Sequence, residues 1–340
     1  MINHVKSIVV ISLVEIISII IINIGYLMYF GLCYNFIKKG VCMFSFIKLK
    51  ICFISLVTLA VFLFTANDAH AIRIGLCTQC SQIYIASSVD ATMFDAFSGN
   101  MIMKLSPMKY YVFKSDGNQV AIKISSKFLK TGSQSVIIKT DKKGYLSTKK
   151  AWYRGDFIIT SYSKNLNLVN KLPLETYLQG VVPSEMSAKW PQEALKAQAI
   201  AARSYAIANI NKHASQGYDL DDTPKDQAYG GASAERESSN RAVKETEDIV
   251  LVYNKQVIPA YYCASAGGQT TNSGGPWSHN LPFLKSVPSY DEGIKKNGHG
   301  VGMSQHGANN LAKMGYNAYS ILNYYYKDIK FAKLSKKWDI

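Results

Sequence analysis

Between residues 72 and 165 apolar and polar positions alternate with a period of two, in short runs broken by turn signals. IRIGL, QIYIASS, KYYVFKS, QVAIKIS, SVIIKT and DFIITSY each predict a strand, and Ser115-Asp116-Gly117-Asn118 and Lys142-Lys143-Gly144 predict turns. Near Lys171 the texture changes. The segment KWPQEALKAQAIAARSYAIANINKH is rich in alanine, and the run from Gln192 to about Asn211 holds neither Gly nor Pro, which predicts a helix with Pro191 in its first turn. Small side chains let neighbours approach closely, so this helix is expected to be buried. A short helix from about Ala234 to Glu247, strands in IVLVYN and VIPAYYC, and a helix starting near Ser304 follow. The pattern predicts an α+β protein, with a β-rich region over 72–165 followed by a mixed α/β domain over 166–335 built around the Ala-rich helix.

Residues 1–71 have a different pattern. One apolar run spans Ser7 to Cys33, long enough to cross a bilayer, and a shorter one spans Ile51 to Ala66. Lys48 and Lys50 precede the second run and Ala69-His70-Ala71 follows it, which reads as a secretory signal peptide over 43–71 beginning at Met43. Residues 1–42 are then a misassigned upstream extension, or a transmembrane helix. In the second case the two runs form a hairpin with Lys38, Lys39, Lys48 and Lys50 in a cytoplasmic loop. Either way residues 72–340 are expected outside the cytoplasm, with membrane contact only through the leader.

Composition and charge narrow the partners. The formal net charge is +15, of which +12 falls after residue 71, so anionic partners are favoured. No RNP, zinc-finger or helix-turn-helix signature accompanies the charge, and the leader argues against a nucleic-acid partner. Most of the 22 tyrosines suit strands and core, with some fit for a sugar surface. Of six cysteines, Cys77, Cys80 and Cys263 lie beyond the leader. Cys77 and Cys80 form a local disulfide or two inert thiols, since no βαβ pattern supports a redox motif.

Two further features carry candidate chemistry. Lys196 and Arg203 stand seven apart on the Ala-rich helix, on one face. They either lie on a solvated face or point into a groove and hold an anionic or polar substrate. Gly298 to Gly315, GHGVGMSQHGANNLAKMG, is neither a Walker A loop nor a Rossmann fingerprint. Its three glycines within five residues predict close backbone approach. Zinc held by Cys263 with His279, His299 and His306 lacks a tight ligand pair, so no metal or cofactor is expected.

Taken together, LPLETYLQGVVPSEM, EALKAQAIAARSYA, YYCASAGGQTTNS and GHGVGMSQHGA resemble the SpoIID/LytB family of sporulation and cell-wall proteins, in the family's order, over about Tyr153 to Lys330. The family includes lytic transglycosylases that act on peptide-stripped glycan strands and non-catalytic enhancers of wall amidases. The resemblance implies that Glu185 is the catalytic glutamate, that Lys196 and Arg203 bind substrate, and that His299 and Gln305 line the same groove. It implies peptidoglycan glycan strands as substrate, with a cell-wall amidase as partner in the non-catalytic case. The chain departs from the family at His306, where Trp is common, at Cys263, where Ser or Thr is usual, and in the short segment Asp291 to Asn297.

Ordinary glycosidases need two carboxylates. Near Glu185 the sequence offers only Glu175 and Glu193. A lytic transglycosylase needs one, which protonates the glycosidic oxygen and then takes the proton of the sugar's own 6-hydroxyl, closing a 1,6-anhydro ring. Such an acid requires a raised pKa, which Val181, Val182, Pro183 and Met186 are placed to supply. Lys196 and Arg203 would oppose it by direct contact and are expected to touch substrate or other groups instead.

Overall fold

The alternating segments form strands because each buries one face. The computed structural model describes residues 71–141, 143–274 and 280–334. The expected signal peptide, extension and transmembrane alternative over 1–71 lie almost wholly outside the described residues. Ala71–Cys80 is a strand whose inward Ile72 and Ile74 are buried, and Asp156–Tyr162 buries Phe157 and Ile159 on the same alternation.

Seven strands make the larger sheet, in the order Leu220–Asp221, Ala71–Cys80, Asn165–Pro173, Asp156–Tyr162, Ser135–Thr140, Ala91–Asp95 and Met101–Leu105. A six-stranded sheet runs Trp152–Tyr153, Leu146–Ser147, Ile83–Ser87, Tyr111–Asp116, Gln119–Ile124 and Lys127–Lys130. Phe113 and Ile122 of the second sheet share one core with Ile138, Phe157 and Ile159 of the first. All six strands expected over 72–165 are present. Those over 91–95, 101–105, 127–130 and 165–173 were not expected.

Asn165–Pro173 is the strand that ties the molecule together. It pairs antiparallel with Ala71–Cys80 on one side and Asp156–Tyr162 on the other. The expected domain boundary at 165/166 therefore falls at the first residues of a strand inside the sheet, and Ala69–Ile340 forms one compact unit. Irregular register between Gly75 and Cys80 marks the end of the first strand, where Cys77 and Cys80 form a disulfide with their Cα atoms 6.2 Å apart.

The strand runs straight into helix α1, Leu174–Glu185, with Pro173 as its N-cap residue. Leu174, Tyr177, Leu178, Val181 and Val182 recur with helical spacing and are all buried. This helix was not expected, because Gly180 and Pro183 mask the period. Pro183 is tolerated because it lies in the last turn, where the only intrahelical bond it forfeits is its own. Helix α2 is the expected Ala-rich element, Gln192–Ala208, with Ala194, Ala197, Ala199, Ala201, Ala202 and Ala206 fully buried. It packs against α1, against α3 (Glu237–Glu245), against α4 (Gln305–Lys313), against α5 (Ala318–Tyr325) and against the strand Ile249–Tyr253.

The segment VIPAYYC is not one strand. It divides into Gln256–Val257 and Tyr262–Cys263, as Pro259 lacks the N–H a central strand needs. Tyr262–Cys263 pairs parallel with Met303–Ser304, which leads into α4. Ser304 caps α4 by accepting the Gly307 N–H at 3.1 Å.

Candidate active site

Glu185 is the last residue of α1 and is half-buried. Its neighbours along the chain Val181 and Val182 are fully buried, and Met186 nearly so. Burial raises the Glu185 pKa above the ordinary carboxylate range, against the opposing pull of hydrogen bonds from the Ala228 backbone, Gln305 and Tyr262.

Those hydrogen bonds come from three elements. The Ala228 N–H donates to Oε1 at 2.7 Å. The Gln305 Nε2 amide, at the first residue of α4, donates to Oε2 at 3.3 Å. The third is Tyr262, whose hydroxyl direction is fixed by its neighbours. Gln227 donates from Nε2 to the Tyr262 oxygen at 2.8 Å and to the Ala202 carbonyl at 3.3 Å, while its Oε1 accepts the Tyr177 hydroxyl at 3.3 Å. Both amide protons of Gln227 are thereby committed, so Tyr262 receives one hydrogen bond and gives its own proton to the carboxylate. Every described group on the Glu185 carboxylate is a donor. When Glu185 is protonated, neither the Ala228 N–H nor the Gln305 amide nitrogen can accept from its O–H, and among these described partners only the Tyr262 hydroxyl oxygen could.

Close packing sets this geometry. A Cβ on Gly180 would lie 2.5 Å from the Tyr229 ring and 3.0 Å from the Gly231 carbonyl, so only glycine lets the segment carrying Ala228 dock on α1. Ser184 fastens the same contact, accepting from the Gly230 N–H at 3.1 Å and donating to the Gly180 carbonyl at 2.7 Å. Asp226, just before Gln227, is buried among Lys212, the His213 ring and the Asp221 N–H. On the other wall, Gly302 has φ +74° and a Cβ there would lie 2.0 Å from the Tyr261 carbonyl, as the glycine-rich block led us to expect. Asp291 holds the turn before α4 by accepting from Ala266 N at 2.6 Å, Gly268 N at 2.7 Å and Ser304 Oγ at 2.6 Å.

The expected site residues divide. Gln305 meets Glu185 through its amide nitrogen. His299 stands one layer back, with Nδ1 accepting the Val301 N–H at 3.0 Å, its ring edge-on to Tyr261 and a bond to the Tyr262 backbone. Burial, and then Lys296, lower its pKa, against the raising pull of the Tyr262 backbone. Lys196 and Arg203 are corrected. Arg203 is wholly buried and makes a two-pronged ion pair with Glu175, Nε to Oε1 at 2.6 Å and Nη2 to Oε2 at 2.7 Å, and it also donates to the Ile249 carbonyl. Lys196 bridges Glu193 and Glu245, each at 2.9 Å. At 100° per residue, the α2 face that meets Gln305 and Gln227, through Gln198 and Ala202, is turned well away from the one that carries Lys196 and Arg203. The latter pair therefore braces α2 against α1 and α3.

Among the described residues Cys263, His299 and His306 do not gather as a three-ligand cluster, and His279 lies outside them. Cys263 is buried, which pushes its thiol up to about 11, and the His306 ring meets Trp190 edge-on at 5.0 Å. His213, Asp221 and Asp226 do converge, but the Lys212 ammonium already sits on Asp226. Sequence reasoning missed Tyr262, Gln227 and the Ala228 N–H. Tyr262 lay inside a block that carried the family resemblance, whereas Gln227 and Ala228 sit in DQAYGG, which has no distinctive spacing.

The fold and site define a protein of α+β class with a half-buried carboxylate, Glu185, held by donors from three separate chain segments. Residues 162–253 match the family model described as SpoIID, Stage II sporulation protein, which supports the resemblance to the SpoIID/LytB family. It is 37% identical over 206 residues to the amidase enhancer of Bacillus subtilis (strain 168), an alignment that covers 59% of this chain and 27% of that protein. Stage II sporulation protein D of the same organism is 38% identical over 136 residues, covering 36% of this chain and 40% of that one. An uncharacterised protein of Brachyspira hyodysenteriae is 40% identical over 136 residues, 40% of this chain and 37% of its own. The matches thus span well under half the length of these relatives.

Proposed function

We propose that the chain is an exported lytic transglycosylase that cleaves peptide-stripped glycan strands of peptidoglycan, with Glu185 as the single acid and base. The observation that carries this reading is the all-donor surroundings of a carboxylate whose pKa burial raises. In the acid form, the proton of Glu185 is available to the glycosidic oxygen of a bound strand, since the Ala228 N–H and the Gln305 amide nitrogen beside it are donors only. Once the proton has left, Ala228, Gln305 and Tyr262 stabilise the carboxylate that remains. That carboxylate then takes the proton of the muramyl 6-hydroxyl as its oxygen closes on the anomeric carbon, releasing a 1,6-anhydro end and regenerating the acid.

The surroundings also argue against a two-carboxylate hydrolase. Glu175 lies ten residues earlier on α1, about 15 Å along the axis, and is engaged by Arg203. Glu193 accepts from Lys196 and the Ala318 N–H. Glu175 therefore stands beyond the roughly 5 to 9.5 Å that hydrolytic pairs use, and Glu193 is committed to other partners. The Cys77–Cys80 disulfide supports a place outside the reducing cytoplasm. The net charge of +15 suits an anionic wall.

Peptide-free glycan strands incubated with the protein should yield anhydro-muramyl ends, and Glu185→Gln should lower that yield by at least about a thousandfold, given the weight of one acid/base group and its field. Undiminished turnover in the variant would exclude the mechanism. The similarity to the amidase enhancer favours a second reading, a wall-binding partner of an amidase without chemistry of its own. That reading requires no anhydro product from the wild type, and wall binding unaffected by Glu185→Gln.

A further inference from the structure

Gln198 is wholly buried in the middle of α2, on the face turned to the site. Its Oε1 accepts from Gln305 Nε2 at 3.5 Å, and that same nitrogen donates to Glu185. Its own Nε2 finds no acceptor among the described residues. Buried amides ordinarily turn so that such a donor is satisfied. Turning Gln198 over would set its N–H groups against those of Gln305. Gln305 would then present its oxygen to a carboxylate or lose one of its two acceptors. The orientation that leaves Gln198 unpaired is therefore the one in which Gln305 uses both N–H groups, one on Gln198 and one on Glu185.

We propose that Gln198 is a positioning residue for Glu185, acting through Gln305: its carbonyl oxygen fixes the Gln305 amide as a donor to the acid. The two glutamines and the carboxylate form a line from α2 through α4 to the end of α1. The ligand field of the acid is set from the middle of the most deeply packed helix, and a side chain that does not touch Glu185 governs its protonation. The catalytic consequence rests on the reading of Glu185 as the acid, whereas the effect on its titration does not.

The test follows the Glu185 side-chain carboxyl by carbon NMR across pH in the full chain, with Gln198→Leu and Gln305→Met made singly and together. Gln198→Leu should move the Glu185 midpoint to higher pH, because the carboxylate loses a fixed donor. It should move it no further in the Gln305→Met background, since the effect runs through Gln305. Turnover of glycan strands should fall about three- to tenfold in Gln198→Leu, the loss expected from one hydrogen bond. An equal shift in both backgrounds, or none in either, overturns the proposal. Should Gln198→Leu fail to fold, the wild-type Gln305 side-chain amide decides: two slowly exchanging, separately resolved protons support the relay, and one freely exchanging pair refutes it. A wild type without turnover would overturn the proposed function while leaving the titration result standing.

Discussion

At the scale of single residues, the site is governed by the direction of hydrogen bonds. Tyr262 gives its proton to Glu185 because Gln227 has already filled the other side of its oxygen. Removing that donor with Tyr262→Phe should raise the Glu185 pKa further, so the alkaline limb of the pH–rate profile moves to higher pH; an unmoved limb would show that the hydroxyl does not reach the acid. Burial has already raised this pKa above that of the unfolded chain. The stability Glu185 contributes is therefore complete below the unfolded-state pKa and is lost as pH rises through the folded one. Denaturation of wild type and Glu185→Gln across pH should show the wild type losing stability relative to the variant on the alkaline side. Glu185 itself stands out in the sequence through the PSEM block. Its donors were not, since a backbone N–H has no side-chain signature and Gln227 is brought to Tyr262 from 35 residues away.

Helix by helix, the sequence spacing of Lys196 and Arg203 was read correctly as one shared face, but spacing alone does not say what that face meets. The structure turns it toward α1 and α3. Glu175→Ala leaves the Arg203 guanidinium buried without its counterion, so it should cost about 3 kcal/mol or more in denaturant unfolding. Lys196→Ala removes a partly exposed bridge and should cost less than about 1 kcal/mol. The Ala-rich helix was legible because its interior is free of breakers, and the structure ends it within a few residues of the expected point. Helix α1 was hidden by Gly180 and Pro183, although its apolar positions keep the helical period. The same glycine that obscured the helix is what allows Tyr229 and Gly231 to lie against it.

Across the whole molecule, local alternation revealed the strands with the cleanest patterns. It missed Asn165–Pro173, six of whose nine residues are buried, so its sequence lacks the one-sided alternation of a half-exposed strand. Pairing order is not written in local pattern at all. The neighbours of this strand come from residues 71–80 and 156–162, far apart in the chain. A fragment starting at residue 166 would carry it without either neighbour. Expressed alone, that fragment should be insoluble or lack a cooperative unfolding transition, and a soluble, cooperatively unfolding fragment would show that the sheet is dispensable.

The match to the family model begins at Tyr162, the last residue of the strand that flanks Asn165–Pro173. The unit that the family model matches and the unit that folds thus have different edges. The matched segment starts in the middle of a hydrogen-bonded ladder, and half of that ladder is written in sequence the family model does not reach. Any relative that keeps the acid and its helix must cover both sides of the same strand, with this sheet or with another. Grafting the site into a new protein would accordingly mean carrying over the covering strands, or designing replacements for them.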